Sequence, residues 1–141
     1  MIKKIVLLFF IIMISVNADD IYIPPEQLPN NIIQFINTYF PNISIIYAEM
    51  ERKKYEVVLN NGVEIEFFRN GELKEIEGNY TALPFNILPE PVINTIMKTY
   101  PNTVITKIKN KWNLYEIKLN NMMELYIDSN NGQLLGQKFD D

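Results

Sequence analysis

The sequence predicts an α+β fold: two tandem helix-plus-four-strand repeats forming one continuous antiparallel sheet, with both helices on one face. Three observations predict it. Residues recur in register at a spacing of 60, each recurrence opens on an apolar stripe of helical period, and alternating segments punctuated by Asn and Gly follow each stripe.

The recurrence covers a whole unit. Leu28-Pro29 aligns with Leu88-Pro89, Ile33 with Ile93, Ile36 with Ile96, and Pro41-Asn42 with Pro101-Asn102. Tyr55-Glu56 aligns with Tyr115-Glu116, Leu59-Asn60-Asn61 with Leu119-Asn120-Asn121, and Glu64 with Glu124. One extra residue near Ser129 then brings Gly71 onto Gly132 and Leu73 onto Leu134. A single copy of this length buries too little surface to be stable alone, whereas two copies sharing a sheet do not face that limit.

In chain order, Met1-Ile-Lys-Lys precedes an apolar run at 5–14 and then Ser15-Val16-Asn17-Ala18. A spanning helix needs about 20 apolar residues, so residues 1–18 read as a cleaved signal peptide rather than an anchor. Residues 19–141 are then a single exported domain, with repeat one at about 24–79 and repeat two at about 82–141. Ile32, Ile33, Ile36 and Phe40 mark the first helix, bounded by Pro29 and Pro41. Val92, Ile93, Ile96, Met97 and Tyr100 mark the second, which Pro101 ends. Strands are predicted at 43–50, 54–60, 63–69 and 72–77, and again at 104–109, 112–119, 123–128 and 133–139. Asn61-Gly62 and Asn70-Gly71 are hairpin signals because Asn and Gly tolerate positive φ. Asn120-Asn121 and Asn131-Gly132 stand in their places in the second copy. Gly78-Asn79-Tyr80-Thr81, which has no periodicity, is the joint.

Composition narrows the function. Without Lys3 and Lys4 the chain keeps 11 basic against 17 acidic side chains, a net charge of −6. That balance repels phosphate backbones and anionic lipid, so neither nucleic acid nor membrane insertion after signal cleavage is expected. The absence of Cys excludes disulfides, and with His also absent it removes imidazole bases, thiolate nucleophiles and the commonest zinc ligands. Ser44 and Ser129 are the only serines after residue 18, and neither stands in a nucleophile elbow. Glu64 with Glu66, or Glu56 with Glu124, could form a carboxylate pair, but alternating acids on strands read as a solvated sheet face. Asp128-Ser-Asn-Asn-Gly132 departs from a calcium loop, with Gly fifth and Phe139 in the twelfth place, and reads as a hairpin turn. No catalytic residue, metal site or cofactor is predicted. Asn42-Ile43-Ser44 and Asn79-Tyr80-Thr81 match the glycosylation acceptor pattern, a short motif that often arises by chance.

Period two assigns the two faces. Tyr55, Val57, Leu59, Val63, Ile65 and Phe67, with Tyr115, Ile117, Leu119, Met123, Leu125 and Ile127, are predicted to lie under the helices. The other face mixes carboxylates with large apolar groups. The predicted protein-binding surface has Trp112, Leu114 and Tyr126 at its centre, ringed by Glu116, Glu124 and Asp128, with Phe68 extending it onto the first copy. The alternatives are a structural envelope module, or a peptide- or small-ligand-binding protein without inhibitory activity.

Leu-Pro before each helix, Tyr-Pro or Phe-Pro after it, then Tyr-Glu-Val or Tyr-Glu-Ile and a late Asn-Gly hairpin, all doubled, resemble the β-lactamase-inhibitor-like family with PepSY-like repeats. The resemblance runs from about Leu28 to Phe139. It implies a periplasmic or secreted, non-catalytic α+β protein similar in architecture to β-lactamase inhibitory protein, whose curved sheet holds its target enzyme. Related PepSY domains occur in inhibitory propeptides of secreted metalloproteases, so the implied partner is a secreted hydrolase or protease. Phe68-Arg69-Asn70-Gly71 departs from the family pattern, which often has an acidic residue there, while Asp128 keeps it. No functional residue carries over from the family.

Overall fold

A row of side chains organises the molecule. Strand pairing sets Ala48, Val57, Ile65, Ile76, Ile108, Ile117 and Leu125 side by side across consecutive strands, and each is fully buried. Burying a side chain of this kind contributes about 1.5 to 3 kcal/mol, so the row is a major part of the core. The structure, a computed structural model, describes residues 20–140; the segment predicted to be a signal peptide lies outside the described residues.

The strands are β1 (Ile21–Tyr22), β2 (Ile45–Met50), β3 (Lys54–Leu59), β4 (Glu64–Phe68), β5 (Leu73–Glu77), β6 (Ile105–Lys111), β7 (Leu114–Leu119), β8 (Met123–Asp128) and β9 (Leu134–Phe139). They form one open antiparallel sheet in chain order from β1 to β9. Helix α1 (Asn30–Tyr39) lies between β1 and β2, and α2 (Glu90–Thr99) between β5 and β6. Ile32 and Ile36 of α1 and Val92 and Ile96 of α2 join the same cluster as the sheet row, so both helices cover one face. Phe35 meets Phe67 edge-on at 5.3 Å, in a geometry that aromatic pairs favour.

At four hairpin turns Asn directs the chain without taking positive φ itself, unlike Asn42, Asn79 and Asn102 elsewhere. The Oδ1 atoms of Asn61, Asn70, Asn121 and Asn131 accept the backbone N–H two residues on, and the residue between takes φ of 91°, 87°, 67° and 75° at Gly62, Gly71, Met122 and Gly132. Two of the glycines also let the helices approach. A Cβ on Gly71 would lie 2.1 Å from the Asn31 side chain, and one on Gly132 would lie 2.3 Å from the Pro91 carbonyl.

Several details differ from expectation. The sheet has nine strands rather than eight, because Ile21–Tyr22 pairs with Met50 and Glu49; two residues before Pro24-Pro25 carry no readable alternation. The strand expected from Ile43 begins at Ile45, since the Ile43 N–H donates to Phe40 O in the turn that ends α1. Trp112 is not in a strand: Lys111 pairs with Leu114, which leaves Trp112 and Asn113 as the tip of a two-residue hairpin. The strand expected from Gln133 begins at Leu134, because the Gln133 N–H is taken by Asn131 Oδ1. The joint is a tight turn, with positive φ at Asn79 and Tyr80, pinned to the β3–β4 turn by Thr81 Oγ1 donating to Asn61 O. Asn79 Nδ2 donates to Gly62 O at 3.0 Å, which occupies one acceptor-motif amide.

Candidate binding face

The face opposite the helices is set by the same register that builds the core. Glu49, Glu56, Glu66 and Glu75 are direct neighbours on β2 to β5, and the row continues through Lys109, Glu116 and Tyr126. Beside it runs Tyr47, Val58, Glu64, Glu77, Lys107, Lys118, Glu124 and Lys138. The first half of the face is therefore rich in carboxylates and the second half mixes both signs.

Lysines partly compensate the acids. Lys54 Nζ donates to Glu66 Oε1 at 2.6 Å, a bond that raises the Lys54 pKa, and it lies 3.7 Å from Glu51. Lys107 meets Glu75 at 3.1 Å, Lys111 meets Glu116 at 3.3 Å, and Lys118 meets Asp140 at 3.5 Å. Among the described residues Glu56 has no such partner. Burial first, and then its hydrogen bond with Glu49 and that neighbour's charge, push its carboxyl up to about 7. Glu49 is held below its ordinary range because the Tyr47 hydroxyl donates to it at 2.5 Å, and the same bond pushes Tyr47 up to about 12. Burial, followed by the contact with Glu49, raises Glu51.

Carboxylate oxygens of Glu49, Glu51 and Glu56 all lie within 4.8 Å of one another. As hard oxygen donors they are of the type that calcium and magnesium take. No spacing in the sequence groups the three, because their meeting depends on the β2–β3 register and on Glu51 sitting just past the end of β2.

Of the seven predicted site residues, Leu114 opposite Asp128 and Glu116 opposite Tyr126 are neighbours on β7 and β8 with Glu124 next along β8, while Phe68 and Trp112 stand together at a cleft. Phe68, 37% exposed, and Trp112, 95% exposed, line a cleft of about 370 Å³ together with Lys74, Glu75, Lys109, Asn110 and Lys111. Glu116 and Glu124 line a second cavity of about 420 Å³ beyond it, with Lys107, Lys109 and Lys118. Leu114 pairs with Lys111 and Asp128, and Tyr126 with Glu116; these three half-buried residues line neither cavity. Asp128 is occupied locally, its Oδ1 accepting the N–H groups of Asn130 and Asn131. Lys109, which lines both cavities, was missed because its surroundings follow from pairing across β5 and β7.

Among the described residues no helix is long and apolar enough to cross a membrane. The fold thus defines an open antiparallel sheet backed by two helices, with one uncovered face of mixed charge and exposed aromatics. The family model described as "putative beta-lactamase-inhibitor-like, PepSY-like" matches residues 14–64 and 53–135, and the chain belongs to that family. Its fold is shared by a "putative periplasmic protein" of Bacteroides vulgatus, at 30% identity and a TM-score of 0.79 over 85% of this chain and 97% of that one. It is shared equally by a "putative calcium-regulated periplasmic protein" of Bacteroides thetaiotaomicron, at 30% identity and 0.79 over 86% and 98%. A second Bacteroides vulgatus structure, described as periplasmic and of unknown function, gives 25% and 0.77 over 84% and 98%. No curated protein matches the chain. The protein is periplasmic or secreted; the three relatives are each described as periplasmic.

Proposed function

We propose that residues 1–18 are an export signal and that residues 19–141 form a non-catalytic binding protein, which engages a protein partner through the open sheet face. In this reading the scaffold arose by duplication of a helix-plus-four-strand unit, at about 24–79 and about 82–141. The observation that carries it is Trp112, 95% exposed at a hairpin tip beside the partly exposed Phe68 on a face whose rows are mostly charged. Tryptophan is enriched at the energetic centres of protein interfaces, where leaving it in water forfeits burial. The family description supports inhibition of a secreted hydrolase or protease as the form this binding takes. With His and Cys absent, the face offers carboxylates and ammonium groups, several of them engaged with one another, an arrangement suited to recognition rather than to nucleophilic chemistry.

The test is affinity capture from envelope extract with residues 19–141 as bait, run beside a Trp112→Ala/Tyr126→Ala variant. A hydrolase or protease retained by the first and lost by the second supports the reading. Equal capture by both, or no enriched protein in repeated trials, counts against it.

A second reading is favoured by the Glu49, Glu51 and Glu56 trio and by the calcium-regulated description of one 30% identical relative. A divalent cation held there would relieve the repulsion within the trio. Calcium should then raise the melting temperature of the wild type but not of Glu56→Gln, and equal shifts in both proteins would count against it.

A further inference from the structure

Lys109 is flanked in register by two carboxylates, Glu75 on β5 and Glu116 on β7, yet neither turns to it. Glu75 is drawn to Lys107 at 3.1 Å and Glu116 to Lys111 at 3.3 Å, so among the described residues Lys109 has no carboxylate within ion-pair distance. It is half-buried and lines the cleft whose apolar walls are Phe68 and Trp112. Lys74 and Lys111 stand at the same cleft, and Lys74 is held only at 3.9 Å by Glu66. Against these three ammonium groups the cleft carries one carboxylate, that of Glu75. In a protein of net charge −4 the lining of this cleft carries more cationic than anionic groups, beside the exposed rings of Trp112 and Phe68.

A half-buried ammonium in partly apolar surroundings gains most from a carboxylate, because a charge-assisted hydrogen bond is strengthened where water is partly excluded. The adjoining rings gain from an apolar or aromatic group. The cleft, at about 370 Å³, lies near the low end of ligand sites, which run from about 300 to 1,000 Å³, so it suits one or two residues rather than an extended segment. One residue that presents a carboxylate and a large side chain together is a chain end. We propose that this cleft receives the C-terminal residue of a polypeptide partner, its side chain aromatic or large aliphatic, with the terminal carboxylate on Lys109 and the side chain between Phe68 and Trp112. The proposal rests on the open-face reading above and supplies the chemistry of the contact.

The test uses the mature protein and N-acetyl-Ala-Phe as the free acid, with its C-terminal amide and N-acetyl-Ala-Ala as comparisons. Trp112 is the only tryptophan, so its emission reports the cleft directly. The free acid should give a saturable change at least about tenfold tighter than either comparison, the scale of one lost charge-assisted contact. Lys109→Met, its fold verified by circular dichroism, should reduce the acid to the level of the amide, and Lys138→Met, at the sheet edge, should not. Equal binding of acid and amide, an unaffected Lys109→Met, or no saturable change at all would overturn the proposal. Those results would leave capture of a partner by the open face standing, whereas loss of capture with peptide binding intact would overturn the wider reading instead.

Discussion

Ile76 and Ile108 lie directly opposite each other across the β5–β6 pair, both fully buried, at the seam where the strands that follow α1 meet those that follow α2. Glu75 opposite Lys109 and Glu77 opposite Lys107 complete that seam. With one buried cluster running through the whole sheet, the two halves are expected to unfold together. Ile108→Ala should cost about 2 to 5 kcal/mol while unfolding remains a single transition. Urea denaturation followed by circular dichroism and by Trp112 fluorescence checks this: coincident curves are expected, and separated midpoints would show two independent halves.

Met122 occupies the turn position that Gly62 fills between β3 and β4, with φ of 67° and a partly exposed side chain. A non-glycine residue held there is strained. Met122→Gly should therefore stabilise the protein by roughly 0.5 to 1 kcal/mol, whereas Gly62→Met should destabilise it by at least as much. Paired thermal melts would measure both, and a loss of stability in Met122→Gly would show that its side-chain contacts outweigh the strain.

Stability should fall between pH 5 and pH 8. Glu56 titrates at about 7 in the folded protein, above the ordinary 4.5, because burial and the Glu49 carboxylate disfavour its charge. Protonation thus favours the fold, and the contribution is fully present below the unfolded value and lost as pH rises through about 7. Glu51 is raised and adds in the same sense, while the lowered Glu49 acts oppositely and in a more acidic range. Melting temperatures across that span should decline less in Glu56→Gln than in the wild type; parallel profiles would remove Glu56 as the cause.

The two faces were legible because alternation survives in β3, β4, β7 and β8: Val57, Ile65, Ile117 and Leu125 are buried as expected, and Glu56, Glu66 and Tyr126 lie opposite. What was illegible depended on pairing or on a single hydrogen bond. Two residues of β1 show no period, and the place of Trp112 follows from the Lys111–Leu114 pair rather than from its own β-propensity. The Glu49, Glu51 and Glu56 trio and the isolation of Lys109 need neighbours on adjacent strands to be known. Single-chain periodicity assigns a residue to a face, and only register says beside which charge it will stand.

Trp112 also gives the most direct measurement of the binding-face account. In the free protein its emission should be red-shifted and readily quenched by iodide and acrylamide, as 95% exposure requires. Adding a captured partner should protect it, and Trp112→Ala should weaken that complex by about 2 kcal/mol or more with the melting temperature unchanged. A partner that binds with full affinity while Trp112 stays open to quencher, and binds Trp112→Ala equally well, would contradict the account.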